Sequence, residues 1–100
     1  MCGIAGIVAL APGKSPDPVL LRCMAERIRH RGPDGNGEYL TGTVALAHRR
    51  LSIIDLSDSG SQPMPNEDGS LQLVFNGEIY NYIELGEELR AKGHIFRGHS

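Results

Sequence analysis

Met1-Cys2-Gly3-Ile4-Ala5-Gly6-Ile7-Val8-Ala9-Leu10 opens the chain with small and apolar residues, several of them β-branched. That composition suits a strand buried on both faces, and Pro12-Gly13 marks its end. In Ser15-Pro16-Asp17-Pro18, Asp17 can cap a helix and Pro18 fits the first helical position, where a missing N–H leaves nothing unpaired. Leu21, Met24, Ala25 and Ile28 then recur at i, i+3, i+4 and i+7, one face of an amphipathic helix running to about Arg29. Arg22, Glu26 and Arg29 occupy its other side.

His30-Arg31-Gly32-Pro33-Asp34-Gly35-Asn36-Gly37 cannot extend that helix. It reads as a loop that Arg31 and Asp34 order by hydrogen bonds and a salt link. Residues 38–40 and 43–48 read as two strands around Gly42, with Val44, Leu46 and His48 alternating against Ala45 and Ala47. A polar loop covers 57–66. Leu71-Gln72-Leu73-Val74-Phe75-Asn76 alternates after the Asp68-Gly69 turn, Gly77 interrupts it, and Glu78-Ile79-Tyr80 resumes. Asn81 to Glu84 has the spacing of a capping box, and the helix it opens carries Tyr82, Leu85 and Leu89 as its stripe and stops at Gly93. His94 to Phe96 begins a further strand. Strands joined by short turns, with two helices among them, predict an α+β fold: a mainly antiparallel sheet with helices packed on it.

One hundred residues make one modest domain or part of a larger one. Leu, Ile, Val and Phe supply 25 of them, enough apolar surface to argue against disorder. Ten basic against twelve acidic residues leave a charge of −2, so there is no positive excess to hold nucleic acid. The apolar runs fall far short of a membrane span, and residues 1–11 lack the pattern of a secretory signal. The expected compartment is the cytoplasm. Cys2 and Cys23 are too few for a disulfide scaffold. With His30, His48, His94 and His99 they show no paired ligand spacing, so no metal is expected.

Cys2 carries the most chemistry because of its position. A small residue after the initiator Met generally permits loss of Met1, leaving a thiol and a free α-amine on one residue. An α-amine has a reference pKa of about 7.7–8.0, so part of it is an unprotonated base near neutral pH. It can take the thiol proton and activate the nucleophile. A small hydrophobe starting a buried strand is the plainer reading, while Cys23, next to the helix stripe, is explained by packing or as a half-exposed inert thiol. Asn76-Gly77-Glu78 joins an amide donor, a backbone without Cβ and a carboxylate. The first two can hold the oxyanion of a tetrahedral intermediate and the third a substrate ammonium, although Asn-Gly also suits a bulge or turn. Of Arg49 and Arg50, alternation lets only one face a site and grip a carboxylate, with at least one of the pair turned to water. His48 reads as a hydrogen-bonded histidine within the sheet.

Five stretches together resemble the start of a class II glutamine amidotransferase, most closely the glutamine-hydrolysing asparagine synthetases. They are Met-Cys-Gly-Ile-Ala-Gly at 1–6, Arg-His-Arg-Gly-Pro-Asp-Gly at 29–35, Ala-His-Arg-Arg-Leu-Ser-Ile-Ile-Asp at 47–55, Gln-Pro-Met at 62–64 and Phe-Asn-Gly-Glu-Ile-Tyr-Asn at 75–81. The resemblance implies an N-terminal-nucleophile fold, with stacked antiparallel sheets flanked by helices and about half of the domain within residues 1–100. It implies Cys2 as nucleophile, its own α-amine as base, and Asn76 and Gly77 as the oxyanion hole. Arg50 would clamp the glutamine α-carboxylate, backbone of Leu51, Ser52, Ile53 and Ile54 would line the pocket, and Glu78 would bind the α-ammonium. Glutamine would pass through a γ-glutamyl thioester to glutamate and ammonia.

In the parent enzymes that ammonia reaches a C-terminal synthetase domain, which uses ATP and Mg to make asparagine from aspartate. A homodimer is the assembly considered for the full-length protein. No cofactor is expected within residues 1–100, because the Ser-Gly-Gly-x-Asp-Ser loop of the synthetase domain is missing. The aspartate that partners Glu78 in the family would fall just after Ser100. The sequence therefore reads as a fragment of a longer protein, one that need not be active alone. An amidotransferase for another acceptor, or a non-catalytic module that binds glutamine or a partner, are the alternatives.

Overall fold

The computed structural model describes residues 1–53 and 57–99. Strands β1 (Gly3–Val8), β2 (Gly35–Leu40) and β3 (Val44–Arg50) form an antiparallel sheet in the order β1-β3-β2. Helix α1 (Pro18–Arg27) lies on one face of it. A second, two-stranded antiparallel sheet pairs β4 (Met64–Pro65) with β5 (Gln72–Leu73), and helix α2 (Tyr82–Ala91) follows. The fold is α+β, as the sequence predicts.

α1 forms for the reasons its sequence gives. The Asp17 side chain accepts from Val19 N–H at 2.9 Å, and Pro18 opens the helix. Such a cap is worth about 0.5–2 kcal/mol against alanine. Leu21 and Ala25 are buried against Ala45 and Ala47 of β3, with Ala5 and Ile7 of β1 packed around them. Met24 and Ile28, the rest of the stripe, are half-buried. Alanines on the sheet let the helix come close, and Gly3 extends that approach: a Cβ there would sit 2.9 Å from Ile28 Cδ1. On the solvent side Arg22 bonds both carboxylate oxygens of Glu38, tying α1 to β2. The guanidinium holds the Glu38 carboxyl below its ordinary value.

Several elements differ from the sequence reading. β1 is not buried on both faces: Ile4 and Val8 are 47% and 59% exposed, because α1 covers only the opposite side. β2 begins at Gly35, inside the predicted loop, because pairing with β3 overrides the low strand preference of glycine. The alternating stretch 71–76 forms a ladder only at Gln72–Leu73, and residues 78–80 form none. Pro63, just before β4, has no N–H to donate, so the ladder does not run on past the Met64–Leu73 pair.

Asn81 makes no side-chain cap, since its ψ of 31° is far from the extended conformation a capping residue needs. The α2 stripe of Tyr82, Leu85 and Leu89 stays more than a third exposed, so α2 does not pack as α1 does. Residues 94–96 are not a strand. His94 instead meets Glu67 at 2.9 Å, and Phe96 lies under the Arg90 guanidinium, 5.0 Å from it. Gly13, Gly69 and Gly93 all take positive φ, as the turns and the helix stop predicted for them require.

The core is small, so each buried group counts. Leu21 is fully buried, and Leu21→Ala is expected to lower stability by about 2–5 kcal/mol, read as a fall in the urea midpoint at unchanged slope.

Candidate active site

β3 is the central strand, so both neighbours deliver their first residues to its C-terminal end. Gly3 lies opposite Arg49 and Gly35 opposite Arg50, which brings Cys2 and Asp34 alongside Leu51 and Ser52. The half-buried Cys2 thiol accepts from Leu51 N–H at 3.2 Å, and its Sγ lies 3.6 Å from the Leu51 carbonyl, to which S–H can donate. One residue thus offers the sulfur a donor and an acceptor.

The loop before β2 fastens this corner. Arg31 Nε donates to the Cys2 carbonyl at 3.1 Å. Asp34 N–H donates to the Arg50 carbonyl at 2.9 Å, and its Oδ2 accepts from Ser52 N–H at 2.9 Å. Arg31 and Asp34 therefore order the loop by reaching across to β1 and to the end of β3, and not by the salt link expected between them. Gly32 permits this approach, because a Cβ there would collide with the Arg49 carbonyl. Sequence reading missed these two residues as site struts. Their signal lies in strand register, which a single sequence does not print.

A cleft of about 510 Å³ opens at this corner. Cys2, Arg50, Leu51, Ser52 and Ile53 line it from the β1 and β3 ends, and Asn76, Gly77 and Glu78 from the segment after β5. These are the residues singled out in the sequence; Ile54 alone lies outside the described residues. Met64, Phe75 and Tyr80 give the cleft an apolar lining. The Phe75 ring packs on Gly77, where a Cβ would come within 2.7 Å of the ring and push it aside.

Arg50 faces the cleft and Arg49 does not. Arg50 Nη1 donates to the Ser57 carbonyl at 2.6 Å, and its guanidinium lies over Gly60, where a Cβ would collide with it. Arg49 departs from the expectation of a water-facing partner. Alternation puts it under α1, where its side chain is 12% exposed and 3.8 Å from Glu26.

His48 is buried at 1% exposure within the sheet, but its Nε2 has no hydrogen-bond partner among the described residues. Burial pushes its pKa down; the nearby Phe75 backbone opposes this, and the Arg50 charge adds to it. Cys23 is exposed and free. Among the described residues no group of three His, Cys, Asp or Glu side chains could hold a metal ion, and the glycines at 35 and 37 belong to a strand and not to a phosphate loop. No helix among the described residues is long and apolar enough to cross a membrane.

The family model described as a glutamine amidotransferase domain matches residues 1–100. The chain is 46% identical over 98 residues to glutamine-hydrolyzing asparagine synthetase 1 of Bacillus subtilis (strain 168), covering 96% of this chain and 15% of that protein. It is 44% identical over 101 residues to a probable glutamine-hydrolyzing asparagine synthetase of Dictyostelium discoideum, covering 100% of this chain and 18% of the relative. For the glutamine-hydrolyzing asparagine synthetase of Brassica oleracea the identity is 46% over 96 residues, with shares of 96% and 16%. The chain thus spans less than a fifth of the length of these curated relatives.

The buried imidazole sets a pH dependence. The unfolded ring takes a proton near its ordinary value of 6.5, whereas the folded ring resists it to lower pH. Stability from this group is complete above pH 6.5 and is lost as pH falls from there through the folded value. Urea midpoints measured from pH 7.5 down to 5.5 should therefore decline, and His48→Gln should flatten the decline. An equal slope in both proteins would remove His48 as its source.

Proposed function

The chain belongs to the glutamine amidotransferase domain family, and from that premise we propose that it hydrolyses glutamine to glutamate and ammonia with Cys2 as its nucleophile. The observation that carries this reading is the single cleft holding Cys2, Arg50, Asn76, Gly77 and Glu78, drawn from distant parts of the sequence.

Met1 is 65% exposed at the cleft, accessible to the peptidase that would free the α-amine of Cys2. That amine takes the thiol proton. The thiolate attacks the carboxamide carbon of glutamine, and the electron pair of the C=O moves onto oxygen. The Asn76 side-chain amide and the Gly77 N–H donate to that oxyanion. Collapse breaks the C–N bond, the α-ammonium returns its proton to the departing nitrogen, and ammonia leaves a γ-glutamyl thioester. Water, deprotonated by the same amine, cleaves the thioester and restores the thiol. Arg50 grips the α-carboxylate, and Glu78 accepts from the α-ammonium. Leu51 N–H, already donating to the sulfur, helps hold it at the mouth of the cleft.

The finer fold assignment rests on the same reading. Residues 1–100 form the first part of a glutaminase domain of the N-terminal-nucleophile type, and the uncovered sheet face with Ile4 and Val8 is where a second sheet would stack. A synthetase domain beyond this stretch would use the ammonia, with ATP and magnesium, to convert aspartate to asparagine. The cytoplasm is the compartment this reading assigns.

Two measurements test the proposal. Intact mass should show a species lacking Met1 that gains one adduct, mapped to Cys2, from a glutamine-mimicking diazoketone. Retained Met1 with no adduct would favour a non-catalytic glutamine-binding module. Asn76→Ala should lower kcat by about 10²–10³-fold while leaving KM for glutamine nearly unchanged, because the oxyanion exists only along the reaction path.

A further inference from the structure

We infer that Gln62 is a positioning residue for the oxyanion-binding end of the cleft, acting through Phe75; the inference rests on the glutaminase reading above. Its Oε1 accepts from Phe75 N–H at 2.6 Å, a contact made across thirteen residues of chain. This bond stands where a ladder is lacking. β5 ends at Leu73, and Pro63, which has no N–H to donate, stands between β4 and the register position that faces Phe75. The side chain of Gln62 thus does for the Phe75 amide what a neighbouring strand would otherwise do.

Both ends of this link are anchored. The Gln62 carbonyl packs directly on Gly37 of β2, where a Cβ would collide with it, so its backbone is pressed against the main sheet. Phe75 in turn lays its ring on Gly77 and immediately precedes Asn76. Holding the Phe75 amide therefore fixes both the extended segment that presents the Asn76 side chain and the ring under the Gly77 backbone. Gln62 also lines the cleft together with Arg50 and Cys2, at the junction of the two sheets. A donor pair for an oxyanion must be set before the charge develops, and this link supplies that constraint.

The test compares Gln62→Leu with Gln62→Glu in the intact protein. Leucine removes the acceptor, whereas glutamate retains an oxygen for the Phe75 N–H. Gln62→Leu should lower kcat for glutamine hydrolysis by about 10- to 100-fold, with KM within about twofold of wild type, since a displaced donor harms the transition state more than the bound substrate. Alkylation of Cys2 by iodoacetamide should keep its wild-type rate, separating a displaced oxyanion site from a damaged nucleophile. Gln62→Glu should recover most of kcat. Should Gln62→Leu fail to fold, Gln62→Met, which keeps the length of the side chain, serves in the same comparison. An active wild type beside a leucine or methionine variant of unchanged kcat overturns this role alone. Equal loss in the glutamate variant, or a parallel fall in Cys2 alkylation, overturns it too. A wild type inert toward glutamine overturns the glutaminase reading and this role with it.

Discussion

The antiparallel pairing of β3 with both of its neighbours is the constraint on which the rest depends. A central strand flanked by two antiparallel partners receives the starts of both at its own end. Because Gly3 pairs with Arg49 and Gly35 with Arg50, Cys2 and Asp34 have nowhere to lie except beside residues 51 and 52. A slip of one residue would turn every side chain of the shifted strand to the opposite face, exchanging Arg50 for Arg49 at the cleft. The small residues along β1 and β3 protect that register. They let α1 settle on one face; an added carbon at Gly3 would push Ile28 aside, and one at Gly32 would collide with the Arg49 backbone carbonyl.

Packing and chemistry share this framework at different depths. The face toward α1 is mostly apolar, built on Leu21, Ala25, Ala45 and Ala47, with Arg49 at its end. The opposite face changes character along its length. Val8 stands open at one end and Ile4 beside His48, while His48 and Arg50 line the cleft. Main-chain groups do much of the work there. Leu51 holds the sulfur with its own N–H and carbonyl, Asp34 holds Ser52, and Arg31 holds the Cys2 carbonyl. A site built on peptide groups is indifferent to the identity of the side chain at Leu51, but it demands that the backbone of residues 50–52 stay in place.

The second wall is made differently. The segment after β5 has no ladder to fix it, so side chains do so: Gln62 at the Phe75 amide, and the Phe75 ring on Gly77. Beyond it α2 keeps its apolar stripe more than a third exposed, and the Glu67–His94 contact joins the β4–β5 turn to the stretch after that helix. The first wall is therefore held by a sheet and the second by individual contacts.

The sequence by itself determined the local elements and the chemical inventory. The Asp17-Pro18 helix start, the Leu21 to Ile28 stripe, the alternation of 44–48 and the glycine turns are all set by short-range sterics and hydrogen bonding, and each stands in the structure where the residues put it. The motifs around Cys2, Arg50 and Asn76 likewise named the members of the cleft. Tertiary structure alone decided which face of β1 is covered, how early β2 starts, how short β5 is, and where Arg31, Asp34, Arg49 and Gln62 reach. Those outcomes depend on partners far away along the chain. A strand lengthens or stops according to the donors its neighbour presents, and a polar side chain bonds whatever the register sets beside it; neither is written in the residues on either side of it.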